Sequence, residues 1–288
     1  MICNQKFTYV SHSFKMIPPV RLDRLSALLE GLAPRVEMMR PVPGAAALSL
    51  AATPGQLLYL HLVAQGGVRL SVPGQDPVAV PAPAIVICRA DTAHALQPLS
   101  GNAFEPLTSA QAFFDGPVAS LLLGEFARPL VVPLDGADAS LRHVIELISS
   151  ELLEPRCGQP ALLDRAGDIL LIGLLRHLIA HPRSTRGLFN GLSDPRIAAA
   201  LVAIHAAPQN DWNLDTLAKQ AGMSRTSFAT RFREVMGHPP GKYLGQVRLS
   251  IAHRAVQSGL GLKRAAKDSG YTSVSALSRA LSRARVVD

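Results

Sequence analysis

The pattern of apolar and polar residues along the chain changes its period twice. Leu22–Leu32 places leucines at helical spacing, whereas residues 45–88 largely follow the period of two that a half-buried strand requires. From Ser140 the helical period returns and is repeated to the end of the chain. The sequence therefore predicts a helix, then a group of strands, then a long helical region.

The strand region consists of short segments separated by turns that contain proline and glycine. The predicted strands are Ala45–Ala51, Gln56–Gln65, Val68–Val72, Val78–Val80 and Ala84–Cys88. Turns are predicted at Pro73–Asp76 and Pro81–Pro83. Short strands with such turns are typical of a small antiparallel barrel or a jelly roll.

Two helices are predicted after the strands, at Ser140–Leu153 and Pro160–Ala180. The second is apolar on nearly all sides around Ile169–Leu175, so other elements must cover it. Because the strands can cover one side only, we expect a second copy of the chain to cover another side, which makes the protein a homodimer. A short polar linker is expected over residues 183–193.

The stretch Trp212–Gly237 predicts two short helices joined by a tight turn. Gly222 is expected to end the first helix and Ser224 to cap the second. Each helix has one apolar face, formed by Leu214, Leu217, Ala218 and Ala221 in the first and by Phe228, Phe232 and Val235 in the second. This is the pattern of a helix-turn-helix that reads the major groove, with an ordinary helical hairpin as the alternative.

The same pattern recurs towards the end of the chain. The first-helix residues reappear 48 positions later as Leu262, Ala265, Ala266 and Ser269. Gly270 repeats the glycine turn, and Ser273 takes the capping position. A long helix from Pro240 to Ser258, with proline in its first turn, is predicted to join the two units. A repeated unit is a far more specific signal than either unit alone.

On these motifs, residues 194–288 resemble the AraC/XylS family of bacterial transcription regulators. The resemblance is carried by Leu214–Ala218, Ala221–Arg225, Phe228, Arg231–Phe232, Gly237–Pro240, Tyr243–Leu244, Arg248–Leu249, Ala252, Ser269–Tyr271 and Ala276–Arg279. It implies that both second helices enter adjacent major grooves on one face of DNA. Leu281 stands where the family usually has an aromatic residue, and the chain ends sooner than the family pattern. We therefore expect weaker packing in the second unit.

The outward residues of the two second helices are the candidates for contact with DNA. Those expected to face base edges are Arg225, Thr226, Ala229, Thr230, Val274, Ser275, Ser278 and Arg279. Those expected to contact phosphates are Ser224, Arg231, Arg233, Lys242, Arg248 and Ser273. An arginine can bind guanine through two hydrogen bonds, whereas phosphate contacts add affinity without sequence information.

Charge supports double-stranded DNA as the partner of this segment. The 288-residue chain has a net charge of +8, and from Asp194 onwards there are 14 Lys/Arg against 6 Asp/Glu, which accounts for the whole surplus. A basic segment beside a neutral one is the electrostatic pattern of a nucleic-acid-binding domain joined to a different domain.

Ahead of this segment, Tyr59–Gly66 and Arg89–His94 resemble the cupin-like sensor domain of many such regulators. The fold class is therefore expected to be α+β, with an N-terminal antiparallel, cupin-like barrel, a helical linker and an all-α C-terminal domain. The expected divisions are residues 1–15 disordered or not translated, 16–135 sensor, 136–193 helical linker and dimer contact, and 194–288 DNA-binding with helix-turn-helix units at 213–236 and 261–284.

The strand region does not have the ligand pattern of metal-dependent cupins, which is a His-x-His pair, a following Glu and a later His. His61 has no second histidine two residues on, and no Glu occurs between Glu37 and Glu105. His61 and His94 alone are too few for a catalytic metal site, which uses three protein ligands, so we expect neither a metal, nor another cofactor, nor catalytic residues.

A pocket for a small, unidentified effector remains the expectation for the sensor domain. The polar or reactive residues expected near it are His61, Arg69, Cys88, Arg89 and His94. Each has a structural alternative: the histidines as hydrogen-bonded core residues, Arg69 as a solvated strand residue and Cys88 as inert core.

Three scattered cysteines, Cys3, Cys88 and Cys157, fit a reducing cytoplasm rather than a disulfide framework, and no apolar run is long enough for a membrane span. The sequence thus predicts a cytoplasmic, effector-responsive regulator that binds DNA and contacts RNA polymerase. Alternatives are a cupin-type ligand-binding or metal-dependent enzyme with a weak DNA-binding appendage, and a DNA-binding protein that needs no ligand.

Overall fold

The computed structural model of the protein describes residues 23–39, 47–99 and 107–285. The prediction that residues 1–15 are disordered or not translated lies outside the described residues, as does the expected beginning of one strand at Ala45.

The described residues form nine strands, several of which the alternation pattern predicted. They are β1 (Pro34–Met38), β2 (Leu48–Leu50), β3 (Leu57–Val63), β4 (Gly67–Ser71), β5 (Val78–Pro81), β6 (Ala84–Arg89), β7 (His94–Pro98), β8 (Thr108–Phe114) and β9 (Leu130–Pro133). The predictions at β2 to β6 are confirmed within a few residues. The strands β1, β7, β8 and β9 were not predicted, because their short apolar runs have no strict alternation.

The strands form two antiparallel sheets that face each other. One sheet has the order β1-β8-β3-β6-β9 and the other β2-β7-β4-β5. The chain changes sheet at most connections, whereas β4 and β5 are neighbours in the same sheet. Among the described residues the sheets do not close, so the structure shows a two-layer sandwich, and closure into a barrel stays a prediction.

Alternate residues of the central strands serve two different cores, because successive side chains point to opposite faces of a strand. Tyr59 and Val63 of β3 and Cys88 of β6 belong to an inner core between the sheets. Leu58 and Leu60 of β3 belong instead to a larger core that includes the helices. The near-continuous apolar sequence of β3 follows from this burial on both faces.

The described helices include every one that the helical periodicity predicted and two short ones, Ala119–Leu123 and Leu188–Ser193, that it did not. They are α1 (Arg24–Leu32), α2 (Ala119–Leu123), α3 (Ala139–Leu153), α4 (Gln159–Ala180), α5 (Leu188–Ser193), α6 (Pro195–Ala206), α7 (Leu214–Gln220), α8 (Arg225–Met236), α9 (Pro240–Gln257), α10 (Leu262–Ser269) and α11 (Val274–Arg285). The predicted helix–turn–helix units are confirmed as α7–α8 and α10–α11, with α9 as the predicted bridge.

The prediction of a polar linker over residues 183–193 is wrong for its second half. Leu188, Phe189 and Leu192 of α5 are at most 4% exposed and lie in the main core. The sequence rule failed because three apolar residues among Arg, Ser, Gly and Asn give too weak a periodic signal. The segment joining the two halves of the chain is therefore packed rather than free.

Polar contacts fix this segment to both halves. The backbone N–H of Leu188 donates to the Glu125 carboxylate at 2.7 Å, and the backbone N–H of Gly187 donates to the Val235 carbonyl at 3.0 Å. Arg24 Nη1 donates to the Leu192 carbonyl at 2.7 Å. Residues 187–192 thus connect α1 and the chain near Glu125 with the end of α8.

One continuous apolar core runs from the sandwich into the first helix-turn-helix unit. It includes residues of α1, β3, β6, α4, α5, α6, α7, α8 and α9. Leu28 of α1, Leu201 of α6 and Phe228 of α8 are each at most 1% exposed within it. The first unit is therefore built into the same core as the sheet domain.

The second unit has a small core of its own. Ala252, Ala265, Ala266 and Leu277 are its buried apolar residues, and Leu281 packs against them only partly buried. Three of those four residues are alanine, so the apolar area removed from water is small. This agrees with the expectation of weaker packing in the second unit.

A half-buried histidine joins two helices of the helical half, α6 and α9. His205 Nε2 lies 2.7 Å from the Tyr243 hydroxyl, and the two rings meet edge to face. Burial lowers the pKa of His205 from 6.5 to about 4, so the imidazole is neutral in the folded protein near pH 7.

This histidine makes stability depend on pH. In the unfolded chain His205 binds a proton near pH 6.5, whereas in the folded chain it does so only near pH 4. The free energy of unfolding therefore keeps its full value above pH 6.5 as far as His205 is concerned, and it falls as the pH falls between these two values. Near the acid end of that range we expect the wild type to lose on the order of 1–3 kcal/mol of its free energy of unfolding. The variant His205→Gln, which keeps an acceptor for Tyr243, should not show this loss.

Urea unfolding at a series of pH values measures this effect. The exposed His253→Gln is the matched control and should keep the wild-type slope. Equal pH slopes for wild type and His205→Gln would contradict the assignment.

The second unit is held to the first by a close backbone approach at Gly270. This residue has φ +80°, and an added Cβ would lie 2.8 Å from Gln209 Cα and 3.0 Å from the Pro208 carbonyl oxygen. Arg248 Nε and Nη2 donate to the carbonyls of Pro208 and Asn210 at 3.0 and 2.7 Å. The loop before the first unit therefore lies directly against the turn of the second.

The two turn glycines give a matched test of this contact. Gly222 also has a positive φ, of 61°, but an added Cβ there meets nothing within 4 Å. Gly222→Ala should cost only the backbone strain of about 1–2 kcal/mol, and Gly270→Ala about 1–3 kcal/mol more, because the backbone must move. Thermal unfolding of the two variants measures the difference, and equal losses would contradict the contact.

Candidate DNA interface and inner histidine–cysteine cluster

The first helix-turn-helix is fixed by local capping. Asn213 and Thr216 form a reciprocal capping box at the start of α7, and the Ser224 hydroxyl accepts the backbone N–H of Ser227 at the start of α8. Gly222 provides the left-handed turn between them. These are the capping and turn roles that the sequence predicted for Gly222 and Ser224.

Helix α8 buries one face and presents the other to solvent. Phe228, Phe232, Val235 and Met236 are buried. Of the predicted base-reading residues, Arg225, Thr226 and Thr230 are exposed and Ala229 is half-buried. Arg225 Nη1 lies 3.5 Å from the Asp215 carboxylate of α7, in an exposed pair that contributes little energy. The predicted reading face is thus accessible.

Helix α11 repeats this arrangement with smaller residues. Leu277 is fully buried, and Ala276 N donates to the Ser273 hydroxyl as the expected cap. Val274, Ser275 and Arg279 are exposed and Ser278 is half-buried. The two helices therefore present equivalent stripes to solvent.

Two of the predicted phosphate-binding residues have partners within the protein. Arg231 Nε donates to the Asp194 carboxylate at 2.8 Å, and that carboxylate also caps α6. The hydrogen bond that Arg231 donates to Asp194 raises the pKa of Arg231. Arg248 is held by the backbone carbonyls described above. Both guanidinium groups therefore have a structural task, which sequence spacing could not reveal.

The remaining predicted contacts stay accessible. Ser224, Arg233, Lys242 and Ser273 are exposed. Within residues 23–39, 47–99 and 107–285, Arg233, Lys242 and Arg279 form no ion pair, so their charges are available to an anion. The structure does not test the DNA-contact roles themselves, which stay predictions.

A second candidate site lies between the two sheets. His61 of β3, Cys88 of β6 and His94 of β7 are 0%, 0% and 3% exposed. Their potential ligand atoms all lie within 4.8 Å of one another. His61 Nε2 and His94 Nε2 are 2.9 Å apart. We call these three residues the inner cluster.

Hydrogen bonds orient both histidines of the inner cluster. His94 Nδ1 lies 2.7 Å from the Thr92 carbonyl oxygen, and His61 Nδ1 lies 2.8 Å from the Ser109 hydroxyl. The Tyr59 ring stacks beside His61 at a centroid distance of 6.1 Å. Neither Ser109 nor Tyr59 was predicted. The register of β3 with β8 places Ser109 opposite His61, and Tyr59 lies two residues before His61 on the same face of β3.

Burial controls the charge of these groups. Burial, with a smaller contribution from His94, lowers the pKa of His61 to about 3, and burial also lowers the pKa of His94. Burial raises the pKa of the Cys88 thiol to about 12. Near pH 7 the cluster therefore consists of two neutral imidazoles and a thiol.

The structure separates the two predicted arginines from the inner cluster. Arg69 is exposed on the opposite face of β4 from Val68 and Leu70, and Arg89 is half-buried and paired with Asp91. Alternation along a strand explains both positions. The structure also corrects the count of candidate metal ligands from two to three, because Cys88 joins the histidines from a neighbouring strand.

None of the described helices combines the length and the apolar character needed to cross a bilayer.

Comparison with known families separates the chain into two matched parts. A family model described as "Cupin" matches residues 23–180, which is more than half of the chain, and one described as "Helix-turn-helix domain" matches residues 217–285. The first match covers the sandwich with α3 and α4, and the second covers most of both helix-turn-helix units.

Relatives with similar sequences agree with the helix-turn-helix match. An uncharacterized HTH-type transcriptional regulator of Haemophilus influenzae is 34% identical over 148 residues, which is 51% of this chain and 50% of that protein. A Streptomyces lividans protein, described by its name as AraC-like, is 34% identical over 175 residues, which is 59% and 58%. The chain thus spans little more than half the length of these relatives.

A crystal structure of ToxT from Vibrio cholerae is 13% identical, with 87% of this chain and 92% of that chain covered and a TM-score of 0.35. A score this low supports no argument about function. The sequence matches carry the assignment: the chain belongs to the cupin family, matched over residues 23–180, and it has a helix-turn-helix domain over residues 217–285.

Proposed function

We propose that this protein is a sequence-specific DNA-binding transcription regulator, which responds to a small molecule or chemical signal through its N-terminal sandwich. The observation that carries the proposal is the pair of capped helix-turn-helix units, whose outward stripes are accessible on α8 and α11. The surplus positive charge lies in the same segment. Relatives named as transcriptional regulators support a regulator over an enzyme.

We assign the reading of base edges to the outward faces of α8 and α11. Arg225, Thr226 and Thr230 of α8, with Ser275, Ser278 and Arg279 of α11, supply hydrogen-bonding groups, and Ala229 and Val274 supply apolar contact. Because α11 rests on a smaller core, we assign the stronger reading to α8. An arginine that contacts guanine contributes about 1–3 kcal/mol of discrimination.

We assign phosphate binding to basic side chains that have no ion-pair partner among the described residues. Arg233 and Lys242 are exposed, and the hydroxyls of Ser224 and Ser273 lie at the starts of α8 and α11. Arg231 and Arg248 support the interface indirectly, because one fixes the start of α6 and the other fixes the loop before α7.

The signal passes through the shared core in this proposal. One face of β3 and β6 borders the inner core between the sheets, and the other face borders the main core, which reaches α6, α7 and α8. A change between the sheets that displaces these strands can therefore alter the packing of the first unit. A DNA-binding protein that needs no ligand is the alternative. A shift of the melting temperature by a candidate effector distinguishes the two.

A homodimer is the proposed assembly, with RNA polymerase as a further partner in transcription. Leu147 and Leu153 of α3 and Ile169 of α4 are 40%, 81% and 51% exposed, although large apolar residues are usually buried. A second copy that covers these helices would remove this apolar area from water.

Two substitutions separate base reading from phosphate binding. We expect Arg279→Ala to relax specificity at one base pair, and Lys242→Ala to weaken all duplexes alike and to reduce the salt slope by about 1. Fluorescence anisotropy with selected and random duplexes, over a range of salt concentrations, measures both effects.

Arg142→Ala is the charge-matched control for these variants, because Arg142 is exposed on α3 in the neutral half of the chain. It should leave binding unchanged. An equal loss on every duplex from Arg279→Ala would refute its role in base reading.

The dimer contact has its own matched pair of variants. Ile169 on α4 and Val78 on β5 are each 51% exposed. Ile169→Glu should shift the chain to a monomer, because a charge would be buried in the contact, whereas Val78→Glu should not. Sedimentation velocity measures the state, and a monomeric wild type or a dimeric Ile169→Glu would contradict the proposed surface.

A further inference from the structure

The inner cluster has the composition and placement of a metal site. Three strands of two different sheets bring one sulfur and two imidazole nitrogens to within 4.8 Å of one another. All three residues are at most 3% exposed and lie beside the apolar residues of the inner core. Buried polar groups need partners, and the two Nε2 atoms are each other's partner unless an ion lies between them.

The hydrogen bonds show which nitrogen of each ring is available. A carbonyl oxygen only accepts, so His94 Nδ1 carries a proton for Thr92, and the lone pair of the neutral ring is then on Nε2. That lone pair points at His61 Nε2, 2.9 Å away. The space between the two Nε2 atoms must therefore hold either a proton or a cation.

The Ser109 hydroxyl allows both possibilities. When it donates to His61 Nδ1, His61 Nε2 carries the proton and donates it to His94. When the hydroxyl turns and accepts from His61 Nδ1, the Nε2 atoms of both rings are free for a metal. Rotation of one hydroxyl and a tautomer change of one ring convert the first state to the second.

We propose that His61 Nε2, His94 Nε2 and Cys88 Sγ bind one borderline-soft cation, Zn(II) or Cu(I), between the sheets of this domain. Imidazole and thiolate are the ligands that these ions prefer over carboxylate or water. Three protein ligands leave one tetrahedral position for water or a small donor. The inference concerns metal binding itself and stands apart from the regulator function.

The geometry needs only small adjustments for this ion. With nitrogen ligands at about 2.0–2.1 Å and sulfur at about 2.3 Å, the ligand atoms of a tetrahedral site lie about 3.3–3.6 Å apart. The two nitrogens are slightly closer than this, and every separation that includes the sulfur is at most 4.8 Å. Shifts of about 1 Å or less therefore complete the site.

The outer partners have the arrangement that supports ligating histidines. Ligating imidazoles commonly donate their second N–H to a carbonyl or another oxygen, which fixes the tautomer and the ring. The Thr92 carbonyl and the Ser109 hydroxyl supply one such oxygen to each ring. Binding replaces the thiol proton of Cys88, which leaves as H⁺, while the His61 proton only moves to Nδ1.

The competing explanation is a pair of structural histidines that share a proton, with Cys88 as an apolar neighbour. That arrangement also satisfies every nitrogen of the two rings. The two explanations differ at Cys88, because only the metal site needs its sulfur as a thiolate.

A direct binding experiment on the full-length, untagged chain tests the proposal. The chelator-treated protein is titrated with Zn(II), with Cu(I) under reducing conditions and with Co(II) as a spectroscopic probe. We expect one ion per chain and, with Co(II), a thiolate-to-metal charge-transfer band. A Cys3→Ser/Cys157→Ser background leaves Cys88 as the only thiol and should keep both signals.

Variants of the cluster decide between the two explanations. In that background, Cys88→Ser should remove the charge-transfer band, and it and His94→Gln should each weaken binding at least about 10-fold. His181→Gln is the histidine control, since His181 is the residue directly after α4, beside His177 and outside the cluster, and it should change neither signal.

Ser109→Ala covers the case in which a ligand variant fails to fold, because Ser109 is not itself a ligand. It should weaken binding about 10-fold with an unchanged circular dichroism spectrum. No binding by the wild type, or a band and affinity that survive Cys88→Ser, would overturn the proposal. DNA binding is not part of the readout, so either result leaves the regulator proposal to its own test.

Discussion

The structure depends on one large apolar core that runs from the sheet domain into the helix-turn-helix region. Leu28 of α1, Leu60 of β3, Phe189 of α5 and Phe232 of α8 belong to the same buried cluster. Because interiors are close-packed, a displacement on one side of such a core must be accommodated on the other. The first helix-turn-helix is therefore packed as part of the sheet domain, through α5 and through the contact of α1 with α6.

The second helix-turn-helix is attached differently. Its own core is small, and it is tied to the rest by α9, by the Arg248 hydrogen bonds and by the approach of Gly270 to the loop before α7. These hydrogen bonds fix the position of the second unit but stabilise it little, because the net contribution of each is only about 0.5–1.5 kcal/mol. The first helix-turn-helix unit is thus packed more extensively than the second, which supports the proposal that α8 makes the stronger contact with DNA.

Sequence reasoning succeeded where the signal is local and periodic. The helix-turn-helix units were predictable because Gly222 and Ser224 act through backbone conformation and capping, which depend on neighbours in sequence. It failed where partners are distant. The burial of α5, the pairing of Arg231 with Asp194 and the meeting of Cys88 with His61 and His94 depend on packing and strand register. Arg69 shows the same limit, since a strand residue next to a core residue points away from it.

Native-state hydrogen exchange followed by mass spectrometry tests the shared core most directly, because it reports the opening free energy of each element. If the core is continuous, the amides of β3 and α8 exchange at the same slow rate, through the same opening, and the amides of α11 exchange sooner. Exchange of α8 together with α11, and well before β3, would show that the first unit opens independently of the sheet domain and would contradict the account.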